Sequence, residues 1–304
     1  MSKNKKKTGS IALPYLITIF VGILIIGGGT FFALKQMGVL NGGRELKEPT
    51  PQAVNTATYD DSHTILFILD EPDQKCSSTF LFMRSIPKDK KIVFVGIPSN
   101  TLSVVNGTQQ SIKDAYESGG VTAAVNFTNQ LFGVTVDRYM QLNSDALIKI
   151  CDILGGVTYP IPEDIAGFNG DGSEQYLNAE LIERLITYTM YNNGESERAY
   201  VVSSVFAKMI NASDGSRIAG NLDNSFNTIV NMASTNTNIT AVDYKKRKVA
   251  IKYMLENGTT IASYYVMDGE NAYSDFIPEE SFFSDLRETY YKGKDGTPSE
   301  ESND

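Results

Sequence analysis

Two short polar segments stand where this chain could do chemistry, Asp70 to Ser78 and Pro98 to Thr101. Each follows an apolar run. TILFILD (Thr64 to Asp70) leads into the first segment, and IVFVGI (Ile92 to Ile97) leads into the second, with FLFMR (Phe80 to Arg84) between them. Runs of Ile, Val and Phe bounded by Pro, Asp and Lys clusters are the mark of buried strands. The second and third runs are joined by Pro-Lys-Asp-Lys and should pair as a hairpin. Both polar segments then fall at one edge of a sheet, and ligands of α/β sheets bind beyond the strand ends. An ordinary hairpin with solvated turns would give the same pattern, so the residue types matter. Asp70 offers a carboxylate, Lys75 a cation, Cys76 a thiol, and Ser78, Ser99 and Asn100 neutral donors.

Several chemistries are excluded. The single histidine, His63, leaves no Ser-His-Asp or Cys-His nucleophile and few metal sites. It precedes the first strand and reads as a solvated linker residue. Cys76 and Cys151 are too few for a disulfide scaffold and read as two separate thiols, with one bridge as the alternative. Glu163-Asp164 and Glu279-Glu280 would have to supply any glycosidase pair, but adjacent acids on loops are ordinarily just solvated. Formal net charge is -9, although four lysines lie among residues 3–7. So acidic a body repels phosphates, and with no DNA-binding motif nucleic acid is not an expected partner.

Ile11 to Leu34 carries 24 residues without a charge, enough for a bilayer that needs about 20. The lysines on its N-terminal side orient that end to the cytoplasm. The chain divides into a cytoplasmic tail (1–10), a transmembrane helix (11–34), a Gly/Pro/Asn/Thr-rich linker (35–62), an extracytoplasmic domain (63–285) and a disordered tail (286–304). Within the domain the segments Ser111–Ser118 and Val121–Phe132 follow the strands, the second of them helical, and further helices are expected from an N-cap at Ser144 to Leu154, from Asn178 to Tyr191, over Ser196–Asn211 and over Asp223–Met232. Gly133 should close the second of these as a C-cap. Val157 to Ile161 reads as a strand. Lys248–Met254 and Thr260–Met267 read as a hairpin around Glu-Asn-Gly. In that reading the basic run Lys245-Lys246-Arg247-Lys248 is an exposed strand start that limits edge pairing. Strands interleaved with helices make one α/β domain with a central mixed sheet flanked by helices.

In order and spacing, these motifs resemble the LytR-CpsA-Psr family over roughly Thr64 to Asp243. TILFILD is similar to that family's opening strand, which ends in an acid, here Asp70. Cys76-Ser77-Ser78-Thr79 falls where members carry Arg-Ser-Asp-Thr, and Gly96 to Thr101 where they carry Ser-Ile-Pro-Arg-Asp-Thr. IKDAYESGG (Ile112 to Gly120), Leu131 to Val134, Asp137 to Asn143, Asp152 to Val157 with Pro160, and Asn238-Ile239-Thr240 follow in the family's order. The resemblance implies an envelope protein at the outer membrane face, acting on polyprenyl-diphosphate-linked glycopolymer and peptidoglycan or another envelope acceptor. Family arginines hold the diphosphate, and aspartates hold magnesium or assist proton transfer. That suits a guanidinium fork on phosphate oxygens and magnesium's preference for carboxylates.

The chain departs from the family at those very positions. Arginine is replaced at Cys76, Ser99 and Val201, and aspartate at Ser78 and Asn100, whereas Asp70 and Arg198 remain. Lys75 is one residue from the expected arginine but is a point charge without the fork. The expected catalytic pair is Asp70 and Arg198, with Lys75, Ser78, Ser99, Asn100 and Arg198 around phosphate or lipid and Asp70 as the remaining magnesium ligand. Three lost arginines at about 1.5–3 kcal/mol each give an upper guide of roughly 5–9 kcal/mol. The expectation is a family fold that binds polyprenyl-phosphate-linked glycan, a cell-wall polymer or an envelope partner with reduced or no transferase activity. The alternative is an active phosphotransferase with a rearranged site.

Overall fold

The computed structural model describes residues 56–70, 78–105, 107–161, 164–165, 167–232 and 235–291. Its frame is the expected hairpin. Strand β1 (His63–Leu69) pairs antiparallel with β2 (Thr79–Ile86), which pairs antiparallel with β3 (Lys91–Ile97). A turn at Pro87–Asp89 closes the β2–β3 connection, with Lys90 in the left-handed region at φ 54°. Every residue of β1 and β2 is buried, which explains apolar runs without alternation: helices cover both faces. After the small hairpin β4 (Leu102–Val105) and β5 (Thr108–Ser111) come helix α1 (Ile112–Phe132) and β6 (Arg138–Leu142), which lies parallel to β1. With β9 (Thr235–Thr237) and β10 (Ala262–Tyr265) the sheet order is β10-β3-β2-β1-β6-β9. The C-terminal ends of β1, β3, β6 and β10 therefore share one edge.

The remaining elements segregate by face. One face packs α2 (Ser144–Leu154), α3 (Ala179–Thr187), α4 (Gly194–Ala212), α5 (Gly215–Gly220), α6 (Leu222–Val230) and α7 (Ala241–Asn257) over Ile65, Phe67, Leu69, Leu81, Met83, Ile92 and Phe94. The other packs α1 and α8 (Glu280–Tyr290) over Leu66, Ile68, Phe80, Phe82, Val93 and Val95. Two short antiparallel ribbons complete the chain: β7 (Val157–Pro160) with β8 (Glu174–Leu177), and β11 (Gly269–Ala272) with β12 (Asp275–Pro278). Among the described residues no helix is long and apolar enough to cross a membrane. The expected spans 1–10 and 11–34 and most of the linker lie outside those residues.

Six expectations are corrected. The Lys248–Met254 strand is the second half of α7, begun by a reciprocal cap between Thr240 and Asp243. Tyr244, Arg247, Ala250, Ile251, Met254 and Leu255 recur at helical spacing on its buried side, so only β10 survives of that hairpin. The basic run lies within the first half of this helix, with Arg247 buried. His63 is fully buried rather than solvated, its Nδ1 3.1 Å from the Asp61 carbonyl and 3.5 Å from the Arg247 guanidinium. The tail does not begin at 286. Helix α8 runs to Tyr290, and buried Tyr291 lies under the Arg84 guanidinium, 4.0 Å from ring centre, with its hydroxyl 2.9 Å from Thr64 Oγ1. Asn143, not Ser144, caps α2. Helix α3 stops at Thr187, short of Tyr191, whose hydroxyl turns back to the Leu185 carbonyl at 2.7 Å.

Candidate functional site

Asp70 continues the even-numbered face of β1 one residue past the strand end, its N–H donating to the Leu142 carbonyl of β6 at 2.8 Å. That parity aims its carboxylate toward α1. The Tyr116 hydroxyl donates to Oδ2 at 2.5 Å and Gln141 Nε2 donates to the same oxygen at 3.0 Å, while Ser78 Oγ donates to Oδ1 at 3.3 Å. Gln141 also donates to the Tyr116 oxygen at 2.7 Å, and Asn236 Nδ2 donates to Gln141 Oε1 at 2.9 Å. The Tyr116 ring is set edge-on against Phe80, centroids 5.8 Å apart. Burial first, then the hydrogen bond and charge of Asp70, push the Tyr116 phenol well above its ordinary value. Tyr116 is therefore a neutral donor near pH 7. Asp70 Oδ1, with one long hydrogen bond, keeps the lone pair that could accept a proton from an acceptor hydroxyl.

Arg198 lies on the opposite face of the same edge. It sits in the first turns of α4, buried to 3 % exposure, and its Nη2 donates to Thr79 Oγ1, the first residue of β2. Its Nε donates to the Ile186 carbonyl at 3.3 Å, and Nη1 is 3.4 Å from both Glu195 carboxylate oxygens. The guanidinium charge is thus met by a carboxylate one turn away. Helix α4 can come this close because Gly96 faces it, where a Cβ would lie 2.0 Å from the Ala199 carbonyl oxygen.

The expected site residues are only partly gathered. Asp70 and Ser78 meet directly, and Arg198 joins the edge through Thr79 from the far face. Ser99 and Asn100 follow β3, two strands from β1 and therefore about 10 Å away across the sheet. Ser99 is buried and its carbonyl accepts from the Lys113 N–H at 3.1 Å. Asn100 Nδ2 donates to the Ser274 carbonyl at 2.7 Å. Val201, where the family's second helix arginine falls, is 3 % exposed in the core. Lys75 and Cys76 lie outside the described residues. Thr79, Tyr116 and Gln141 lie inside the sequence motifs but, like Glu195, carry no expected site role. Gln141 had a visible signal, a polar residue between inward-facing Met140 and Leu142.

The described donors around Asp70 are hydroxyl and amide groups rather than carboxylates. Among the described residues no group of three or more Asp, Glu, His or Cys converges, and Asp70 already accepts three hydrogen bonds. Magnesium would take carboxylates in place of such neutral donors.

The model of the LytR_cpsA_psr family matches residues 35–279, most of the chain. This chain belongs to the LytR-CpsA-Psr family. Among curated proteins, the polyisoprenyl-teichoic acid–peptidoglycan teichoic acid transferase TagU of Bacillus licheniformis is 25% identical over 306 aligned residues, which cover 91% of this chain and 96% of TagU. Solved structures of like fold include a protein from Eubacterium siraeum described as a transcription regulator, with TM-score 0.66 and 20% identity over 81% of this chain and 98% of that one. TagV of Bacillus subtilis follows with TM-score 0.59 and 19% identity over 78% and 98%. Identities this low in the structural matches speak for the fold alone. The mixed sheet flanked by helices is the family architecture.

Proposed function

We propose that this LytR-CpsA-Psr chain is a single-pass membrane protein whose domain lies outside the cell and binds polyprenyl-phosphate-linked glycopolymer with reduced or no transferase activity. The state of Arg198 carries this reading. Transfer from a diphosphate carrier needs guanidinium charge at the leaving phosphate. Arg198 is the matched guanidinium at this edge, and Glu195, Thr79 and Ile186 already take its charge and its bonds. Phosphate would replace bonds already made rather than add new ones. Ser99 and Asn100 offer only neutral groups, and Asn100 is tied to Ser274. The uncharged stretch Ile11 to Leu34 and its preceding lysines support the anchor and its orientation.

A second reading has its own support. Similarity to TagU runs over nearly the full length of both chains, which favours an active phosphotransferase using Asp70, Lys75, Asn100 and Arg198. Asp70 Oδ1 would then deprotonate the acceptor hydroxyl.

Titration of detergent-solubilised full-length protein with a polyprenyl-phosphate analogue separates the two. Weak binding is expected. Glu195→Gln, which releases Arg198, should tighten it, and the quadruple replacement Cys76→Arg, Ser78→Asp, Ser99→Arg, Asn100→Asp should tighten it further and make it magnesium-dependent. Native protein that transfers glycan as fast as TagU in a side-by-side assay would overturn the reduced-activity reading.

A further inference from the structure

Strands β11 and β12 pair Ala272 with Asp275, so Tyr273 and Ser274 form a two-residue hairpin turn. Turns of this kind need positive φ, which Gly, Asn and Asp adopt readily. Here a tyrosine holds it, at φ 55°. The same residue is wholly exposed, at 108 % of its reference area. A bulky aromatic in a left-handed turn costs backbone strain, and its exposure returns nothing to the core. Strain of that sort gathers where side chains are displayed for use.

The hairpin is fixed to the candidate site. The Phe276 N–H donates to the Asn100 carbonyl at 3.0 Å, Asn100 Nδ2 donates to the Ser274 carbonyl, Thr101 bridges to Phe276, and buried Phe276 roots the ribbon in the core. On its other side Ser196 Oγ donates to Asn271 Oδ1 at 3.3 Å, two residues before Arg198. The turn therefore stands between the loop after β3 and the start of α4, at the strand edge where β3 ends.

We propose that Tyr273 is a stacking platform for an uncharged sugar ring of the glycan presented to this edge, and so a specificity-determining residue. The inference rests on the glycopolymer-binding reading above. A tyrosine face carries partial negative charge and receives the weakly positive C–H face of a pyranose, while its stiffness limits the entropy lost on binding. The neighbourhood selects the ligand. Asp268, Glu270, Asp275 and Glu279 surround the turn in sequence, so anionic headgroups and polyol phosphates are repelled and an uncharged sugar is not.

The chain has no tryptophan, so Tyr273→Trp places a lone reporter at the turn of the full-length, detergent-solubilised protein. A soluble oligomer of N-acetylglucosamine should shift and saturate its emission, and vesicles of phosphatidylglycerol should not. By calorimetry Tyr273→Ala should weaken the oligomer about tenfold, the size of an ordinary aromatic contact at a binding hot spot. Tyr273→Phe should bind as the native protein does. Tyr273→Gly should lose binding like alanine while melting at or above the native temperature, which assigns the loss to the ring. Polyprenyl-phosphate binding should be the same in all four variants and the native chain. If it is absent throughout while the tryptophan answers the sugar, the carrier reading fails and the platform stands. Equal sugar affinity in native and alanine proteins, a silent tryptophan, or a response to vesicles instead of sugar would overturn the platform.

Discussion

Replacing Gly96 by alanine tests how the site is held together. Gly96 lies on the face of β3 toward α4, and an added Cβ would sit 2.0 Å from the Ala199 carbonyl oxygen, 2.5 Å from its carbon and 2.8 Å from its Cα. All three are backbone atoms of a buried helix, so no side chain can swing aside. Contacts of this type relax only near 3.5 Å, so α4 must retreat by about 1–1.5 Å. Overpacking of this kind costs about 1–3 kcal/mol, and a domain of this size loses about 2–4 °C in Tm per kcal/mol. The expected fall in Tm is therefore about 2–12 °C. Arg198 adjoins Ala199 and should be drawn away from Thr79, so binding of the polyprenyl-phosphate analogue should change along with stability. Calorimetric melting and ligand titration read the two effects. Gly220→Ala is the control, with open space around its Cβ and no strained φ; it should leave Tm unchanged or raise it. A Gly96→Ala protein melting within a degree of native, with native affinity, would refute the claim that this glycine sets the approach of α4.

Further outcomes follow from packing and charge. Tyr291→Ala should cost about 3 kcal/mol in urea unfolding, since it removes a buried ring from Arg84 and Thr64; an unchanged midpoint would mean the chain end is dispensable. Burial, then the charges of Asp152 and Glu183, push the Cys151 thiol up. In a Cys76→Ser protein no thiol should react in the native state and one should after unfolding; rapid native labelling would contradict the packing of α2. Burial raises the Asp243 carboxyl, but hydrogen bonds from Arg138 and Thr240 and the charge of Arg138 outweigh it, holding the pKa below 3.8. The unfolded chain then binds that proton more tightly. This contribution to stability is present above about pH 4 and is lost as pH falls through the folded value. Asp243→Asn should flatten that acid limb, and an identical pH profile would show that the pair adds nothing.

Local information in the sequence determined the central hairpin, the capped helices and the family. Short apolar runs of Ile, Val and Phe bounded by turn residues fit strands covered on both sides, and Ser111, Asn178 and Gly133 cap helices through contacts a few residues long. The same local cues misread residues 248–257, because Glu-Asn-Gly is a hairpin signal that the Thr240 cap and the buried side of α7 override. Asp70 and Arg198 were legible as residues. Their placement on opposite faces of one sheet edge was not, because it depends on strand parity at the end of β1 and on which face α4 packs. Nor did the sequence show that Glu195 neutralises Arg198 or that Tyr116 and Gln141 occupy Asp70. Tyr116 and Gln141 lie 46 and 71 residues from Asp70 along the chain. A carboxylate's chemistry is set by the donors within about 3 Å of it, and only the folded sheet brings those donors there.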